Sequence, residues 1–454
     1  MVFEQARIFL CRYLGLISTS HYTHSQVMAS RTPEWRKLPL NLTELCIDTT
    51  LRCGQSFRWR MISDEWHCAL HGRIISLRQD PEYLHYRATW PKALVAPLTP
   101  PTSTSASVIA PPPGENTPED QSADDTEALL VSYFNLSHSL TTLYAHWSSV
   151  DANFRKRAPG FTGVRILNQD AWEALVGFIC SSNNNISRIS QMVHKLCVHY
   201  GAYIGAIGDQ PMHDFPTPMA LTAPGVEAHL RELGFGYRAK YIARTAQDIS
   251  QNRPIGWLQS LRNPASVAWK GAASAANCIE KQSSYKHAHE QLLQLTGVGP
   301  KVADCVCLMG LGWGEAVPVD THVWQIAMRD YKFGGKSKNK TLTKAMYDAV
   351  GDHFRKLWGD QAGWAHSVLF TADLRTFADR VMGKSEGGAE IQAVKVEMME
   401  VSALGTPVST PVATPLKRRR SVKKETEALN ANFGDAPVSI SGARVTRKRQ
   451  RTHM

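Results

Sequence analysis

Leu295-Thr296-Gly297-Val298-Gly299-Pro300-Lys301 is followed, after one helix-length, by Val317-Pro318-Val319-Asp320. The first stretch reads as a tight turn between two helices. Its glycines permit positive φ and a close approach of the backbone to a ligand. Pro300 suits the first turn of the next helix, where a missing N–H costs nothing. Lys301 to Met309 then carries apolar residues on one face. The free N–H groups and positive dipole end of such a helix start favour a phosphate. This is the pattern of a helix-hairpin-helix element, which grips nucleic-acid backbone without reading sequence. Many such hairpins only bind, so the turn alone leaves Lys301 as either a phosphate contact or a nucleophile.

Asp320 tips that balance. An attacking amine must be deprotonated, and burial or a neighbouring cation lowers a lysine pKa. A nearby carboxylate can take the proton in transit and stabilise positive charge developing on a sugar ring. The run Thr321 to Arg329 is helix-like, so Asp320 falls at an N-cap, where aspartate is favoured for structural reasons too. With the hairpin lysine upstream, Lys301 and Asp320 are expected to be catalytic.

Composition fits a polyanionic partner. The 454 residues carry a net charge of +11 with a pI near 9.2. Residues 384–454 hold 13 Lys or Arg and 7 Asp or Glu, which accounts for +6 of it. The nine cysteines are irregularly spaced, with no Cys-x-x-Cys pair. Neither a zinc site nor a disulfide framework is therefore expected, and reduced thiols in an intracellular compartment fit best. No metal or other cofactor is called for. No apolar run approaches the about 20 residues that span a bilayer.

The chain divides by composition. Residues 1–30 form a disordered or targeting segment; Arg7 and Arg12 against the single acid Glu4 leave a mitochondrial transit peptide open. Residues 31–163 are expected to form an N-terminal α+β domain. Its short strand-like runs are Phe57–Arg60, Trp66–Leu70, Arg73–Leu77 and Tyr83–Tyr86, interrupted by a Pro-, Thr- and Ser-rich disordered insertion at 94–125. Residues 164–383 read as helices with short loops, with the helix-hairpin-helix at 285–309 and a second insertion at 263–282. Gly334 to Lys340 is a basic glycine loop without the spacing of a P-loop. Residues 384–454 form a disordered basic tail. Its clusters Lys417-Arg418-Arg419-Arg420, Lys423-Lys424 and Arg447-Lys448-Arg449 point to nuclear import or nonspecific DNA affinity.

Five separated blocks carry a resemblance. They are Gly54 to Trp59, Ser182 to Ile186, Gly234 to Ala239, the hairpin with Asp320, and Gly363 to His366 continuing to Asp373. In this order the chain resembles eukaryotic, specifically fungal, 8-oxoguanine DNA glycosylases with abasic-site lyase activity, of the helix-hairpin-helix superfamily. The resemblance implies a TATA-binding-protein-like antiparallel sheet followed by a mainly α glycosylase domain, acting as a monomer on double-stranded DNA containing oxidised guanine. Base excision repair of this kind flips the damaged nucleotide out of the duplex. Lys301 then resembles the nucleophile that attacks the sugar C1′ and forms a Schiff base, after which β-elimination nicks the strand. The alternatives are a monofunctional glycosylase for another damaged base and a non-catalytic damage-binding protein.

The other roles also follow from the resemblance. Gly54 resembles the glycine whose carbonyl accepts from the N7–H that ordinary guanine lacks. Cys305, Met309 and Phe370 would line the base pocket. Asn183, Arg188 and Arg238 resemble the residues that read the cytosine left behind, and Tyr237 the wedge beside it. Gly297, Val298 and Gly299 would cradle a phosphate, with His322 on another. Local readings compete throughout: a turn glycine at 54, a polar helix start at Asn183-Asn184-Asn185, a half-buried loop ring at Tyr237, core at Cys305 and Met309. His366 departs from the family's usual glutamine. It is expected to touch the base still, with an altered pH dependence or a broader substrate range, because neutral imidazole cannot reproduce a bidentate amide contact. No cysteine follows Cys307, which separates the chain from the branches with a four-cysteine iron–sulfur loop.

Overall fold

A computed structural model describes residues 33–91, 124–266, 269, 283–334 and 342–382. The expected leader at 1–30, most of both insertions, nearly all of the basic glycine loop and the tail at 384–454 lie outside the described residues, as do Cys11 and Cys278.

The N-terminal unit is an antiparallel sheet of β1 (Arg36–Pro39), β2 (Arg60–Ile62), β3 (Glu65–Leu70), β4 (Arg73–Gln79) and β5 (Tyr83–Thr89), with the short helix α1 (Ile47–Thr50) between β1 and β2. The spatial order is β1-β5-β4-β3-β2. Strict alternation in β5 turns Leu84, Tyr86 and Ala88 inward. They pack with Trp66 and Leu77 against Leu129, Leu130 and Tyr133 of α2 (Thr126–Tyr133). Burial of each such side chain contributes about 1.5–3 kcal/mol. The strand expected at Phe57–Arg60 instead begins at Arg60. Its first three residues are pulled out of the ladder by tertiary contacts. Phe57 packs edge-on against Phe178, Arg58 pairs with Glu173 at 2.8 Å, and Trp59 Nε1 donates to the Tyr133 hydroxyl.

The chain continues through α3 (Leu140–Val150) and α4 (Ala152–Arg157), then α5 (Ala171–Ser181) and α6 (Ile186–Tyr200). A hairpin of β6 (Tyr203–Ile207) and β7 (Gln210–His213) comes next, where sequence pattern suggested only helices and loops. Its strands are short, and their stability is tertiary. Ile204 and Met212 cover Ala69 and Ile74 on the outer face of the large sheet. The remaining helices are α7 (Val226–Glu232), α8 (Arg238–Gln247), α9 (Trp257–Ser260), α10 (Tyr285–Leu292), α11 (Pro300–Met309), α12 (Thr321–Asp330), α13 (Lys344–Trp358), α14 (Ala362–Asp373) and α15 (Ala378–Met382).

The helical core centres on α5, where every residue from Ala171 to Cys180 is buried. A helix apolar on all sides has to be enclosed by others, and α5 packs on α6, α8 and α11. This places the C-terminal end of α5 beside the first turn of α11, where Lys301 lies.

Candidate active site

The hairpin turn is fixed before any ligand arrives. Gly297 has φ +79°, and a Cβ there would run into the Tyr241 ring on α8. Thr245 donates its hydroxyl to the Thr296 carbonyl at 3.0 Å. Val298 is buried, Gly299 is extended backbone at the N-cap, and Pro300 opens α11 as its φ requires. Exposed Gly299 and half-buried Gly297 leave this end of α11 accessible, while Val298 anchors it.

Lys301 is half-buried. Its ammonium donates to Ser181 Oγ at 3.0 Å and sits 5.1 Å from the Phe178 ring centroid. Asp320 is the N-cap of α12, with Oδ1 accepting from the backbone of His322 at 2.9 Å and Val323 at 3.0 Å. Among the described residues Lys301 and Asp320 form no direct ion pair. Both charges nonetheless act on the same two buried groups. Burial pushes the Cys305 thiol up to about 12, with Lys301 opposing and Asp320 adding to the shift. Burial pulls His366 down to about 4, with Asp320 opposing and Lys301 adding.

His366 lies on α14 at 6% exposure, where its ring makes no side-chain hydrogen bond and faces the Gly363 backbone of its own helix. A buried imidazole nitrogen left over from that contact can still take a polar ligand atom. At a pKa of about 4 the ring is neutral from pH 5.5 to 8.5. The expected change in pH dependence therefore has no charge change behind it, whereas the expected broader substrate range keeps its basis. The Phe370 ring is 6.3 Å from His366 at 31°, and exposed His322 meets Phe370 edge-on at 6.0 Å. Phe370 and His322 thus place two rings beside the His366 imidazole. Gly54 has φ +85°, and an added Cβ would lie 2.9 Å from Ile186 Cδ1. Its backbone is thus held where only glycine fits without strain. Cys305 and Met309 follow Lys301 at successive turns of α11, and both are buried in the helical core.

A second group gathers at the α5–α6 loop. Asn183 is exposed with φ +47°, and Asn185 caps α6 by accepting from the Arg188 backbone at 3.0 Å. Arg188 is exposed. Buried Arg238 donates to the Ser182 carbonyl and, at 3.2 Å, to the Asn183 carbonyl. Tyr237 is 46% exposed, donates to Ser182 O at 3.1 Å, and stacks under the Arg238 guanidinium at 4.5 Å. Asn183, Tyr237 and Arg238 are therefore one assembly. Arg238 braces the loop that presents Asn183 through one guanidinium nitrogen, while its Nε is buried without a partner.

Sequence reasoning missed Ser181 and Phe178, which hold the Lys301 ammonium. Both sit on a helix whose pattern signals only core. It also missed Asp304, buried on α11 behind Lys301. Asp304 accepts from Tyr285 at 2.6 Å and from Tyr347, with His289 at 3.5 Å. This carboxylate ties α10, α11 and α13 together.

Residues 37–175 match the family model described as 8-oxoguanine DNA glycosylase, N-terminal domain, and residues 176–349 match HhH-GPD superfamily base excision DNA repair protein. The N-glycosylase/DNA lyase of Saccharomyces cerevisiae is 35% identical over 89% of this chain and 96% of its own. The N-glycosylase/DNA lyase OGG1 of Arabidopsis thaliana is 34% identical over 76% of this chain and 81% of its own. Among solved structures, the fold is shared with MBOgg1 in complex with a low affinity DNA ligand (TM-score 0.56, 24% identity, covering 77% of this chain and 96% of that one). It is also shared with the Clostridium acetobutylicum 8-oxoguanine glycosylase/lyase in complex with DNA (TM-score 0.55, 21% identity, 75% and 94%). The sheet, the hairpin lysine and these relatives together establish that the chain belongs to the 8-oxoguanine DNA glycosylase family of N-glycosylase/DNA lyases, within the helix-hairpin-helix superfamily.

Proposed function

We propose that this enzyme flips 8-oxoguanine out of duplex DNA opposite cytosine, excises it, and then cleaves the abasic strand. Ring-opened purines are further substrates. The carrying observation is Lys301 itself, half-buried in the first turn of α11 directly after the glycine turn, with its ammonium held between Ser181 and the Phe178 ring. In this reading the turn Gly297-Val298-Gly299 takes a phosphate at the start of α11, and His322 takes another. The base enters beside Phe370 and His366, with the Gly54 carbonyl on its N7–H. Asn183 and Arg188 meet the orphaned cytosine, and Tyr237 fills the gap in the stack.

The deprotonated Lys301 amine bonds to C1′ as the C1′–N9 bond breaks and the base leaves with its electron pair. Asp320 stabilises positive charge on the ring and accepts the amine proton. Ring opening gives the Schiff base. Loss of a C2′ proton then expels the 3′ phosphate, and water releases Lys301.

The test is a duplex with a single 8-oxoguanine opposite cytosine, with free base and nicked strand resolved separately. Both products are expected, with slower release when adenine is opposite. Binding without base release would mark a damage-binding protein, and release without nicking a monofunctional glycosylase. The basic tail is proposed to direct nuclear import. A fluorescent protein carrying residues 384–454 that stays cytosolic would refute this.

A further inference from the structure

A cavity of about 250 Å³ lies away from Lys301, where the outer face of the large sheet meets α6 and the β6–β7 hairpin. Its walls combine apolar surface from Phe57, Trp59 and Met212 with the basic side chains of Arg60, His194 and His213. No Asp or Glu lines it. Of the neighbouring carboxylates, Glu173 pairs with Arg58 at 2.8 Å, and Asp214 accepts from the Gly72 backbone at 2.6 Å through Oδ2 while its Oδ1 lies 3.7 Å from Arg58 without a hydrogen bond. Arg60 donates Nη2 to Gln210 at 2.6 Å, but its Nη1 is buried without a partner. Burial, with Arg60 and His213 nearby, pulls His194 down, so that its imidazole is held neutral and Arg60 supplies the charge beside it. A buried guanidinium donor without an acceptor, on a cavity that no carboxylate lines, suits an anionic group. The aromatic walls add preference for a flat apolar body.

The cavity also has a mechanical route to the lysine. Phe57 lies edge-on to Phe178, with ring centroids 5.7 Å apart at 75°. The face of Phe178 carries the Lys301 ammonium at 5.1 Å. Packed rings transmit displacement because interiors are close-packed.

We propose that this cavity binds a small aromatic carboxylate, its carboxylate on Arg60 Nη1 and its ring between Phe57 and Met212, and that occupancy is relayed through Phe57 and Phe178 to Lys301. The relay rests on Lys301 being the nucleophile; the binding does not.

The full-length protein is titrated with benzoate, with benzyl alcohol (ring without charge) and with inorganic phosphate (charge without ring). Binding is read by thermal shift and calorimetry, and the relay by the rate of borohydride-trapped adduct on abasic DNA. Benzoate is expected to raise the melting temperature by on the order of 2 °C while the other two do not, and to change the trapping rate about threefold. Arg60→Ala removes both effects. Val198→Trp, which fills the cavity from the exposed side of α6 and keeps the charge, removes them as well. Benzoate binding that survives both variants, or none in the wild type, overturns the site. Equal binding of phosphate overturns the ligand class. Unchanged trapping with benzoate bound overturns the relay alone, and absence of adduct under every condition would count against Lys301 instead.

Discussion

Lys301 on α11 donates to Ser181 at the end of α5, 3.0 Å away, so the candidate nucleophile is anchored by the most deeply buried helix of the domain. Ser181→Ala removes that anchor and leaves the Phe178 ring in place. Single-turnover base release is expected to slow about three- to tenfold, the worth of one hydrogen bond near 1 kcal/mol. Melting temperature should hold. An unchanged rate would mean that the contact is lost once DNA binds.

Asp320 has two separable roles. Asparagine caps a helix about as well as aspartate, so Asp320→Asn should keep stability within about 0.5 kcal/mol. Base release should fall about a hundredfold or more through loss of the carboxylate. Asp320→Ala should lose the cap as well, at about 1 kcal/mol. Retained activity in Asp320→Asn would reduce Asp320 to a helix cap.

His366 makes stability acid-sensitive. Its folded pKa of about 4 lies below the usual 6.5, so the unfolded chain binds the proton first as pH falls. The stability it supports is complete above pH 6.5 and is lost towards pH 4. Between pH 7.5 and 5.0 its contribution falls by about 2 kcal/mol. His366→Gln should flatten that part of the urea-midpoint profile. It should leave the pH profile of 8-oxoguanine excision unchanged from 5.5 to 8.5 and shift the ratio of 8-oxoguanine to ring-opened purine released. Equal ratios for the two proteins would show that His366 does not touch the base.

Gly54→Ala places a Cβ 2.9 Å from Ile186 Cδ1 at φ +85°. The strain should cost about 1–2 kcal/mol of stability, and displacement of the carbonyl should erode preference for 8-oxoguanine over guanine. Urea midpoints and paired binding titrations check both. An alanine variant with full preference would place the N7–H contact elsewhere.

The parts of the site visible in the sequence were those with local grammar. Gly297, Pro300 and the Asp320 cap are set by backbone conformation, and they fell where the spacing placed them. The expected strand runs Trp66–Leu70, Arg73–Leu77 and Tyr83–Tyr86 fall within β3, β4 and β5, and of these β5 keeps strict alternation. What stayed hidden depends on partners distant in the chain. Phe57 to Trp59 have strand-like residues but are drawn into contacts with α5 and α2. The β6–β7 hairpin leans on partners distant in the chain, Ala69 and Ile74 beneath it and Arg60 on Gln210. Ser181 reaches Lys301 across 120 residues, a relation that no local pattern records. Arg238 also holds the carbonyl of Asn183 across 55 residues of chain.

Borohydride reduction during turnover of 8-oxoguanine duplex tests the central claim most directly. The wild-type chain should be captured as a covalent protein–DNA adduct, and peptide mapping should place the link on Lys301, with no adduct from Lys301→Gln. An adduct on another residue, or one that persists in that variant, would contradict the account.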